Sequence, residues 1–352
     1  MLTIRNGKNQ KAVECPEGEY PICGSGGEMG RASAFITKGD SVIIGRKGNI
    51  SSPILMREPF WNVDTAFGLE PNEERLTVEY LYYFCERFNF EKLNKAVTIP
   101  SLTKADLLKI DMPLPPINLQ REFTDRVVLI DNLKVLLENV KQALDDLVKS
   151  QFVEMFGELA PSVSLASICE LFTDGDWIES KDQSIGGIRL LQTGNVGNGK
   201  FRNKGDKARY ITGETFDRLQ CEDVLAGDIL ISRLPDPVGR ACAVPESLGR
   251  CITAVDCSIL RLKPEWNVSF VVWFTRTADY ENQIREYLTG TTRKRISRSN
   301  LGKIKIPAAD SELQQQFADF VARVDKLGFG CCRMTTYCDT LFSSVSARLL
   351  RT

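Results

Sequence analysis

The side chains of this sequence that could do chemistry are its lysines, arginines, acids and cysteines, because its 352 residues include no histidine. Without histidine there can be no Ser-His-Asp or Cys-His nucleophile, no HExxH zinc site and no Cys₂His₂ finger. An enzyme that uses Asp or Cys chemistry stays open at this point. The composition nevertheless favours a binding protein over a catalyst.

The 11 cysteines follow no pattern of a metal site or a disulfide scaffold. Their number is odd and no two have CxxC spacing, whereas zinc ribbons and disulfide frameworks need paired spacing. We therefore expect reduced thiols in a cytoplasmic protein. The sequence also has no run of 18 apolar residues and no apolar core near its start, so neither a membrane span nor a secretion signal is expected.

Charge is balanced overall but unevenly distributed. The chain has 45 Lys+Arg and 46 Asp+Glu, yet residues 291–305 hold six basic residues and no acid, and residues 181–220 hold eight basic residues and four acids. Residues 121–156 hold five basic residues and seven acids. If the protein binds DNA, for which affinity depends largely on phosphate neutralisation, the first two segments would belong to basic lobes that are joined by the mildly acidic residues 121–156. The alternative is that these charge runs are merely solvated faces.

Motifs for nucleotide chemistry are missing from the sequence. There is no GxxxxGK[ST] loop for ATP and no Asn/Asp-Pro-Pro-aromatic motif of methyltransferases, and Leu234–Pro237 has the wrong order for one. Residues 24–30 are glycine-rich, but no helix or βαβ context follows them. We interpret these residues as a turn.

An internal repeat organises the elements that must position these residues. Leu102–Pro113 recurs as Ile296–Pro307 at an offset of 194 residues, and the match continues without a gap through Leu119-Gln120 and Leu313-Gln314. Chance rarely gives such a match, so the chain contains two copies of one unit.

The offset shrinks towards the start of the sequence, which predicts longer loops in the second copy. The first copy is expected to lack a counterpart of residues 163–170, the opening strand or helix of the second. The upstream matches are Asp64 with Asp256, Gly39-Asp40 with Gly227-Asp228 and, more weakly, Asn6-Gly7 with Asp174-Gly175.

Each copy is predicted to have a mixed globular part followed by a long helix. Short β-rich runs bounded by glycine and intervening helical runs indicate an α+β domain. The strand candidates are residues 41–45, 53–56, 228–232, 251–253 and 258–262, and the helix candidates are residues 78–85 and 269–275.

The helix after Pro113–Pro116 is too long for a compact core. Residues 121–156 contain no Pro or Gly, so at 1.5 Å per residue they form a helix of about 54 Å. Apolar residues recur with the three-and-four spacing of a coiled-coil seam, and the second copy keeps the stripe. The predicted seam residues are Phe123, Ile130, Leu133, Leu137, Val140, Leu144 and Leu147 in the first helix, and Phe317, Val324, Leu327, Cys331, Met334, Cys338 and Leu341 in the second. We expect the two helices to pack antiparallel and to give the molecule a pseudo-two-fold repeat.

A series of short motifs in fixed order carries a family resemblance. The motifs are Tyr20–Gly27, Val42–Gly48, Phe60–Phe67, Pro100–Lys104, Met112–Gln120 and Ser150–Gly157, with weaker versions at Leu190–Val196, Gly227–Ser232 and Ile306–Gln314. This series strongly resembles the specificity subunit of type I restriction-modification systems over nearly the whole chain. Two features depart from the family: a start shorter than the second copy by about ten residues, and a last helix poor in charge.

The resemblance implies a fold with two target-recognition domains of mixed α/β structure, held apart by two long helices. It also implies that the chain is not catalytic and reads a bipartite, asymmetric double-stranded DNA target. Methyltransferase subunits with S-adenosylmethionine, and restriction subunits with ATP and Mg, would supply the chemistry. The expected divisions are residues 1–112 and 159–306 for the two domains, and residues 113–158 and 307–352 for the central and distal spacer helices.

Within such domains, Arg or Lys can read guanine, and Asn or Gln can read adenine. Other basic side chains would anchor phosphates, which positions the protein without specifying sequence. The candidates for base reading are Arg46, Lys47, Asn49, Gln192, Asn195 and Arg233, and those for phosphate contact are Lys104, Lys200, Arg295 and Arg298. Asp64 and Asp256 are interpreted as turn residues. A protein-binding adaptor with a coiled-coil spacer remains the alternative function.

Overall fold

The computed structural model describes residues 1–96 and 98–350, with side chains up to Val345, and it divides into two compact units. Unit 1 comprises Met1–Asn139 together with Cys332–Thr352, and unit 2 comprises Val140–Cys331. Each unit therefore contains part of both long helices. Among the described residues, no helix combines the length and apolar character that crossing a membrane requires.

Unit 1 combines two antiparallel-rich sheets with short helices. Its elements are β1 (Leu2–Asn6), β2 (Tyr20–Gly24), β3 (Gly27–Ala32), β4 (Ser41–Gly45), β5 (Ile54–Met56), β6 (Trp61–Asn62), β7 (Ala66–Pro71), α1 (Val78–Arg87), α2 (Lys104–Leu107) and the start of α3 (Ile117–Phe156). The larger sheet is antiparallel throughout, in the order β1-β7-β4-β5, and the smaller sheet is β3-β2-β6, with β2 and β6 parallel.

Unit 2 repeats both sheets in the same order. Its elements are β8 (Pro161–Ser164), β9 (Cys169–Asp174), β10 (Ile188–Leu191), β11 (Arg209–Ile211), α4 (Gly213–Leu219), β12 (Ile229–Ser232), β13 (Ala241–Ala243), β14 (Cys251–Thr253), β15 (Cys257–Leu262), α5 (Val268–Phe274), α6 (Ala278–Glu286), α7 (Arg298–Lys303), β16 (Lys305–Pro307) and most of α8 (Ser311–Leu350). The antiparallel sheet β9-β15-β12-β13 matches the larger sheet of unit 1, and β11-β10-β14, with β10 and β14 parallel, matches the smaller one. The predicted α+β repeat is confirmed.

Sheet register corrects two of the upstream matches by one residue. Val42 pairs with Leu69, and Ile229 pairs with Leu260, so β4 and β12 correspond at an offset of 187 rather than 188. Asp40 therefore corresponds to Gly227, and both have positive φ, of 50° and 85°. Aspartate and glycine are among the residues that tolerate this region, so the conformation is kept while the side chain changes.

The second correction concerns the turns before β7 and β15. Gly7 N–H donates to the carbonyl of Ala66, and Gly175 N–H donates to the carbonyl of Cys257. These equivalent bonds fix an offset of 191, so Asp64 corresponds to Val255 and not to Asp256. Both aspartates do lie in turns, as expected.

A buried glutamine joins each long helix to the domain before it. In unit 1, Gln120 accepts a hydrogen bond from Thr77 N–H (2.9 Å) and donates to the carbonyls of Arg75 and Pro115 (both 2.8 Å). In unit 2, its counterpart Gln314 makes the equivalents of two of these three bonds. Both side chains are at most 1% exposed. The helix N-cap of α1 or α5 is thus fixed to the start of α3 or α8.

Gln314 repeats two of the three hydrogen bonds of Gln120 at equivalent atoms. Gln314 accepts from Asn267 N–H (2.9 Å) and donates to the carbonyl of Ala309 (2.9 Å). Thr77 and Asn267 are the N-caps of α1 and α5, and Pro115 and Ala309 both lie five residues before the glutamine. The 194-residue repeat therefore extends to individual hydrogen bonds.

Within each unit, the segments of α3 and α8 run in opposite directions. In unit 1, Lys134 forms an ion pair with Asp339 (2.6 Å), and Arg87 lies over the rings of both Phe123 and Phe342. In unit 2, the rings of Phe152 and Phe156 contact Phe317 at centroid distances of 5.3 and 5.6 Å, while Asp145, earlier in α3, lies near the later part of α8, as described below. The antiparallel packing that the two seams predicted is present in each unit.

The seam of α3 differs from the prediction at every second position. Phe123, Ile130 and Leu137 are buried and Leu144 is partly buried, but Val140 and Leu147 are 37% and 48% exposed and Leu133 is only half-buried. From each correctly predicted seam residue, the helix reaches its next inward residue after four positions and the following one after three, whereas the prediction took three and then four. The inward residues between the correct ones are therefore one position later than predicted. They are Val127, Lys134, Lys141 and Val148.

The same shift occurs in α8. Phe317, Val324 and Cys338 are buried and Cys331 is half-buried, whereas Leu327, Met334 and Leu341 are 62%, 47% and 37% exposed. The inward positions between the correct ones are Val321, Gly328, Thr335 and Phe342. The prediction assigned the most apolar residue nearby to each seam position. It failed at these positions because the residues that point inward include two lysines, a glycine and a threonine.

Candidate nucleic-acid interface

Two arginines occupy equivalent places directly after the central strands β4 and β12. Arg46 and Arg233 each follow the last residue of the strand, and each backbone makes the same two hydrogen bonds. The bonds are Arg46 N–H to Thr65 O and Leu102 N–H to Arg46 O in unit 1, and Arg233 N–H to Asp256 O and Ile296 N–H to Arg233 O in unit 2. The backbone at this position is therefore fixed by the repeated fold.

The two guanidinium groups differ in how firmly they are held. Arg46 Nη1 makes one long hydrogen bond, 3.4 Å, to the carbonyl of Asp64, and its guanidinium lies 5.9 Å from the Phe67 ring centroid. Arg233 is only 15% exposed at its side chain and donates from Nη2 to the carbonyl of Val255 at 2.6 Å. Its Nε also lies 3.2 Å from Asp174 Oδ1. Arg46 is thus available for an outside contact, while Arg233 supports its own domain.

Exposed polar side chains follow Arg46 in a tight turn. Lys47 and Asn49 are both exposed. Gly45 begins the turn, and a Cβ there would lie 1.9 Å from the carbonyl oxygen of Asn49, so only glycine fits. Of the glycine-rich residues 24–30, which were predicted to form a turn, residues 24–27 make the hairpin turn between β2 and β3, whereas residues 28–30 belong to strand β3. Ser25 lies beside Gly45 and Gly48. The two turns form one polar surface on unit 1.

Gln192 and Asn195 are engaged in a capping arrangement. Asn195 is 7% exposed, and its Oδ1 accepts from Gln192 N–H (2.9 Å) while its Nδ2 donates to the carbonyl of Arg202 (2.9 Å). The Gln192 side chain accepts from the Asn195 backbone in return. These contacts favour a supporting role for Asn195 over a base contact.

Sequence reasoning missed a buried arginine that connects two loops of unit 2. Arg240 is 6% exposed and donates to the carbonyls of Thr193 and Val196 in one loop (2.7 Å each), and of Leu234 and Pro237 in the other (2.9 Å each). Burial lowers the pKa of this guanidinium below its ordinary value. Nothing in the local sequence distinguishes Arg240 from a surface arginine.

A basic concavity of about 480 Å³ lies next to this capped turn. Four basic residues line it, together with Gln192 and Asn195, and three of the four are exposed. The basic residues are Arg189, Lys204, Lys207 and Arg209. Arg189 is oriented by a hydrogen bond from Nη2 to Asn203 Oδ1 (2.7 Å). No carboxylate lines the concavity, so an anion would meet only positive charge and dipoles there.

The four phosphate candidates lie in different environments. Lys104 donates from Nζ to the carbonyl of Ile4 (2.7 Å), which ties it to β1. Arg298 Nη1 bonds Thr173 Oγ1 at 3.3 Å, and Lys200 is exposed near Asp325. Arg295 is exposed in the basic segment and its backbone pairs with Thr289. Lys104 belongs to unit 1, and the other three belong to unit 2.

The buried thiols have low reactivity. Burial raises the pKa of the Cys85 and Cys257 thiols to about 12, and that of Cys242 to about 11, so few thiolates form near neutral pH. Among the described residues, no group of three or more acidic or cysteine side chains could hold a metal ion.

An ion pair tethers α3 to the globular part of unit 2. Arg276 Nη2 lies 2.7 Å from both carboxylate oxygens of Asp145, and its guanidinium lies 4.0 Å from the Trp273 ring centroid. Burial opposes ionisation of Asp145, but hydrogen bonds from Arg276 and Lys149 outweigh it and lower the pKa of Asp145. Asp325 of α8 feels the charge of the same Arg276, which places the two helix segments beside it.

Both long helices expose large apolar side chains. In α3, Leu129, Val135, Leu136 and Val153 are 57–69% exposed, and in α8 Phe329 and Tyr337 are 66% and 62% exposed. Contiguous exposed apolar residues often mark protein interaction sites.

Comparisons with known proteins agree with this architecture. Residues 1–144 match the family model of the type I restriction modification DNA specificity domain. The chain is 24% identical over 279 residues to a putative type I restriction enzyme MjaX specificity subunit of Methanocaldococcus jannaschii, an alignment that covers 74% of this chain and 64% of that relative's length.

Two solved structures have a similar fold over nearly the whole chain. The S subunit of a type I restriction-modification system from M. genitalium has a TM-score of 0.55 at 15% identity and matches 99% of this chain and 93% of its own. A chain from a study of complex assembly and conformational transition of the type I R-M system has a TM-score of 0.58 at 14% identity, with 99% and 96% matched. The family model over residues 1–144, the curated relative and the fold all indicate the specificity subunits of type I restriction-modification systems as the proteins that this chain resembles.

Proposed function

We propose that this protein is the non-catalytic DNA-recognition subunit of a type I restriction-modification complex and acts in the cytoplasm. Unit 1 and unit 2 each read one part of a bipartite, asymmetric double-stranded DNA sequence. Methyl transfer and cleavage are carried out by partner subunits that bring S-adenosylmethionine, ATP and Mg.

The observation that carries this proposal is that both units repeat the same sheets with an arginine directly after the central strand. Each unit has the same two sheets and the same arginine position after its central strand. Two similar domains that differ in surface side chains are suited to two different half-sites, because sequence is read by side chains while a common backbone positions them. Arg46, Lys47 and Asn49 remain the base-reading candidates of unit 1.

In unit 2, the basic concavity supports the same role. Its lysines and arginines offer phosphate neutralisation, which provides much of the affinity for DNA. Arg240 keeps the loops that carry Gln192 and Arg233 in one conformation. Gln192 and Arg233 therefore support the concavity rather than contact DNA themselves. We therefore assign base reading in unit 2 to Arg189 and Arg209, and phosphate contact to Lys204 and Lys207.

We further propose that the exposed apolar residues of α3 and α8 receive the methyltransferase subunits. Leu129, Val135 and Leu136 lie on an acidic helix segment and would be covered in a complex, with the restriction subunit joining afterwards. The rival function, an adaptor that binds proteins only, rests on the same exposed residues and predicts no preference for DNA sequence.

A selection experiment separates the two functions. The full chain is purified together with a methyltransferase subunit and incubated with random duplex DNA at moderate salt, and bound sequences are read. We expect enrichment of an interrupted sequence with two conserved parts. Recovery of unselected sequence would support the adaptor and overturn the proposal.

Variants test the assigned surface. Replacing Lys204 and Lys207 together by Gln should reduce the slope of log K against log salt by about 1.8, since each phosphate contact contributes about 0.9. Lys326→Gln, at an exposed lysine of α8 in the same unit, is the matched control and should leave the slope unchanged. An equal effect of the control would refute the placement of the surface.

Arg46→Ala tests base reading in unit 1. We expect relaxed preference at one base of one half-site, with the other half-site unchanged. If affinity falls equally for all sequences, Arg46 contacts a phosphate and the assignment is wrong.

A further inference from the structure

A loop of unit 2 presents one exposed carboxylate near the basic concavity. The loop is residues 233–240, which connect β12 to β13, and Asp236 lies near its middle. The Asp236 side chain is exposed, and no described residue forms a hydrogen bond or an ion pair with its carboxylate. Both carboxylate oxygens are therefore available as acceptors for a ligand.

The backbone on both sides of Asp236 is fixed. Pro235 and Pro237 flank it, and each proline ring restricts its own φ. The buried Arg240 donates from Nη1 to the carbonyls of Leu234 and Pro237, at 2.9 Å each. The loop therefore has little conformational freedom to lose when it binds a ligand, and such preorganisation favours specific recognition.

The same guanidinium joins this loop to the basic concavity. Arg240 donates from Nε to the carbonyl of Val196 and from Nη2 to the carbonyl of Thr193, at 2.7 Å each. Both acceptors lie in the segment whose residues Gln192 and Asn195 line the basic concavity. A duplex bound at the basic concavity therefore lies close to the loop that carries Asp236.

Asp236 also lines a second concavity, of about 510 Å³. This second concavity is lined by three cations, Arg285, Arg293 and Lys294, and by one other carboxylate, Glu281. Arg285 bonds Glu281 Oε2 at 3.4 Å. The cations attract phosphates and Asp236 repels them. An acid at this place therefore lowers the affinity for DNA unless its carboxylate accepts a hydrogen bond from the bound DNA.

The repeat gives Asp236 a counterpart in unit 1. Arg46 and Arg233 are equivalent, since each follows the central strand with the same backbone hydrogen bonds. Asn49 and Asp236 each lie three residues further along the chain, and both are exposed. One position of the shared fold therefore carries an amide in unit 1 and a carboxylate in unit 2, as expected where two units read different bases.

These two groups differ in the base that they can bind. An amide both donates and accepts, which suits the N6 and N7 atoms of adenine, whereas an ionised carboxylate only accepts. In the major groove, guanine and thymine present acceptors, and adenine presents an acceptor beside its donor. Cytosine presents its N4 amino group, a donor without a neighbouring acceptor on the same base. A carboxylate therefore selects cytosine.

We propose that Asp236 is a specificity-determining residue of unit 2 and accepts a hydrogen bond from the N4 amino group of one cytosine in its half-site. This inference rests on the proposed DNA-recognition function and adds to it one residue and the base that the residue reads. Asp236 acts beside Arg189 and Arg209, whose guanidinium groups suit guanine.

Selection from random duplex DNA tests this role on the full chain together with its methyltransferase subunit. The parent complex should enrich a cytosine at one position of one half-site. Asp236→Asn keeps the size of the side chain but replaces an acceptor by a donor. The preference for cytosine at that position should therefore be lost, with adenine gaining, while the other positions stay unchanged.

Affinities for two fixed duplexes measure the effect. The duplexes differ only at the selected position, with C·G in one and T·A in the other. For the parent complex, T·A should weaken binding about fivefold or more, the lower end of the cost of a mismatched base pair. For Asp236→Asn the two affinities should be nearly equal. Asp236→Glu keeps a group that only accepts and should retain the preference for C·G.

Asp206→Asn is the matched control. Asp206 is an exposed aspartate between Lys204 and Lys207, so the variant removes the same charge near the basic concavity and leaves residues 233–240 unchanged. It should raise the affinity for both duplexes equally and keep the preference for C·G. Melting curves verify that all variants fold.

Three results would overturn the role of Asp236. They are a cytosine preference that Asp236→Asn retains, an equal gain in affinity of Asp236→Asn for both duplexes, which would show that Asp236 acts only by repulsion, and a preference lost in Asp206→Asn as well. If the parent complex selects an interrupted sequence and Asp236→Asn selects the same one, only this inference is wrong. If the parent complex selects no sequence, the recognition function is wrong and this inference fails with it.

Discussion

Replacing Gln120 should destabilise unit 1 by a predictable amount. The side chain is fully buried and makes three hydrogen bonds, to Thr77 N–H and to the carbonyls of Arg75 and Pro115. Gln120→Met keeps the approximate shape but leaves three buried polar groups unpaired. At about 1 kcal/mol for each lost hydrogen bond, the loss is about 3 kcal/mol.

That loss converts to a measurable change in melting temperature. For a unit of this size, 1 kcal/mol corresponds to about 2–4 °C, so Gln120→Met should lower the melting temperature by about 6–12 °C in calorimetry. Gln142→Met, at an exposed glutamine of the same helix, is the control and should stay within about 0.5 kcal/mol of the parent.

A second substitution at Gln120 adds a dependence on pH. Gln120→Glu places an oxygen where the side-chain nitrogen faced two carbonyls, so the introduced carboxyl is favoured in its protonated form and its pKa is raised in the folded state. A raised pKa gives stability at low pH that is lost as pH rises. The variant should therefore melt lower at pH 8 than at pH 5, relative to the parent. A shift under 2 °C for Gln120→Met, or a pH-independent Gln120→Glu, would refute the role given to this glutamine.

Three other properties can be tested on the same protein. Gly328→Ala should stabilise α8 by about 1 kcal/mol, because its new Cβ meets no atom within 4 Å, whereas Gly302→Ala meets Phe172 at 2.8 Å and should lower the urea midpoint. The lowered pKa of Asp145 gives stability that is lost as pH falls below about 4; Arg276→Gln should flatten that part of the stability curve, and an unchanged slope would contradict the pairing. Alkylation of the folded protein at pH 8 followed by mass spectrometry should modify the exposed Cys332 and spare the eight buried thiols, and modification of the buried set at a similar rate would show that they open.

The sequence predicted the repeat and the positions of most elements because both depend on local pattern. Strands 41–45 and 251–253 appear with the expected bounds. The prediction of the coiled-coil seam was half right. A seven-residue period is visible in the hydrophobicity of the sequence, but whether the next inward residue comes after three or after four positions is not. Lys134 shows the reason: it occupies an inward position by pairing with Asp339 and lying 5.0 Å from the Phe342 ring centroid.

The candidate site was less predictable than the fold. Asn195 has the chemistry to read adenine, but its amide is used by Gln192 and Arg202, and residue type alone cannot show that a group is already bonded. Arg240 is the opposite case, since a cation with four carbonyl partners and 6% exposure has the same sequence signature as a surface arginine. Contacts between distant residues decide both.

The composition of unit 1 has a consequence for biosynthesis. Its core includes Phe342 and Val345 from α8, so the domain that a ribosome makes first lacks part of its packing until the end of translation. All of unit 2, Val140–Cys331, is synthesised before these residues. We therefore expect folding order to run against chain order, with the N-terminal domain completed last, and a premature stop near the C-terminus to damage the opposite end of the protein.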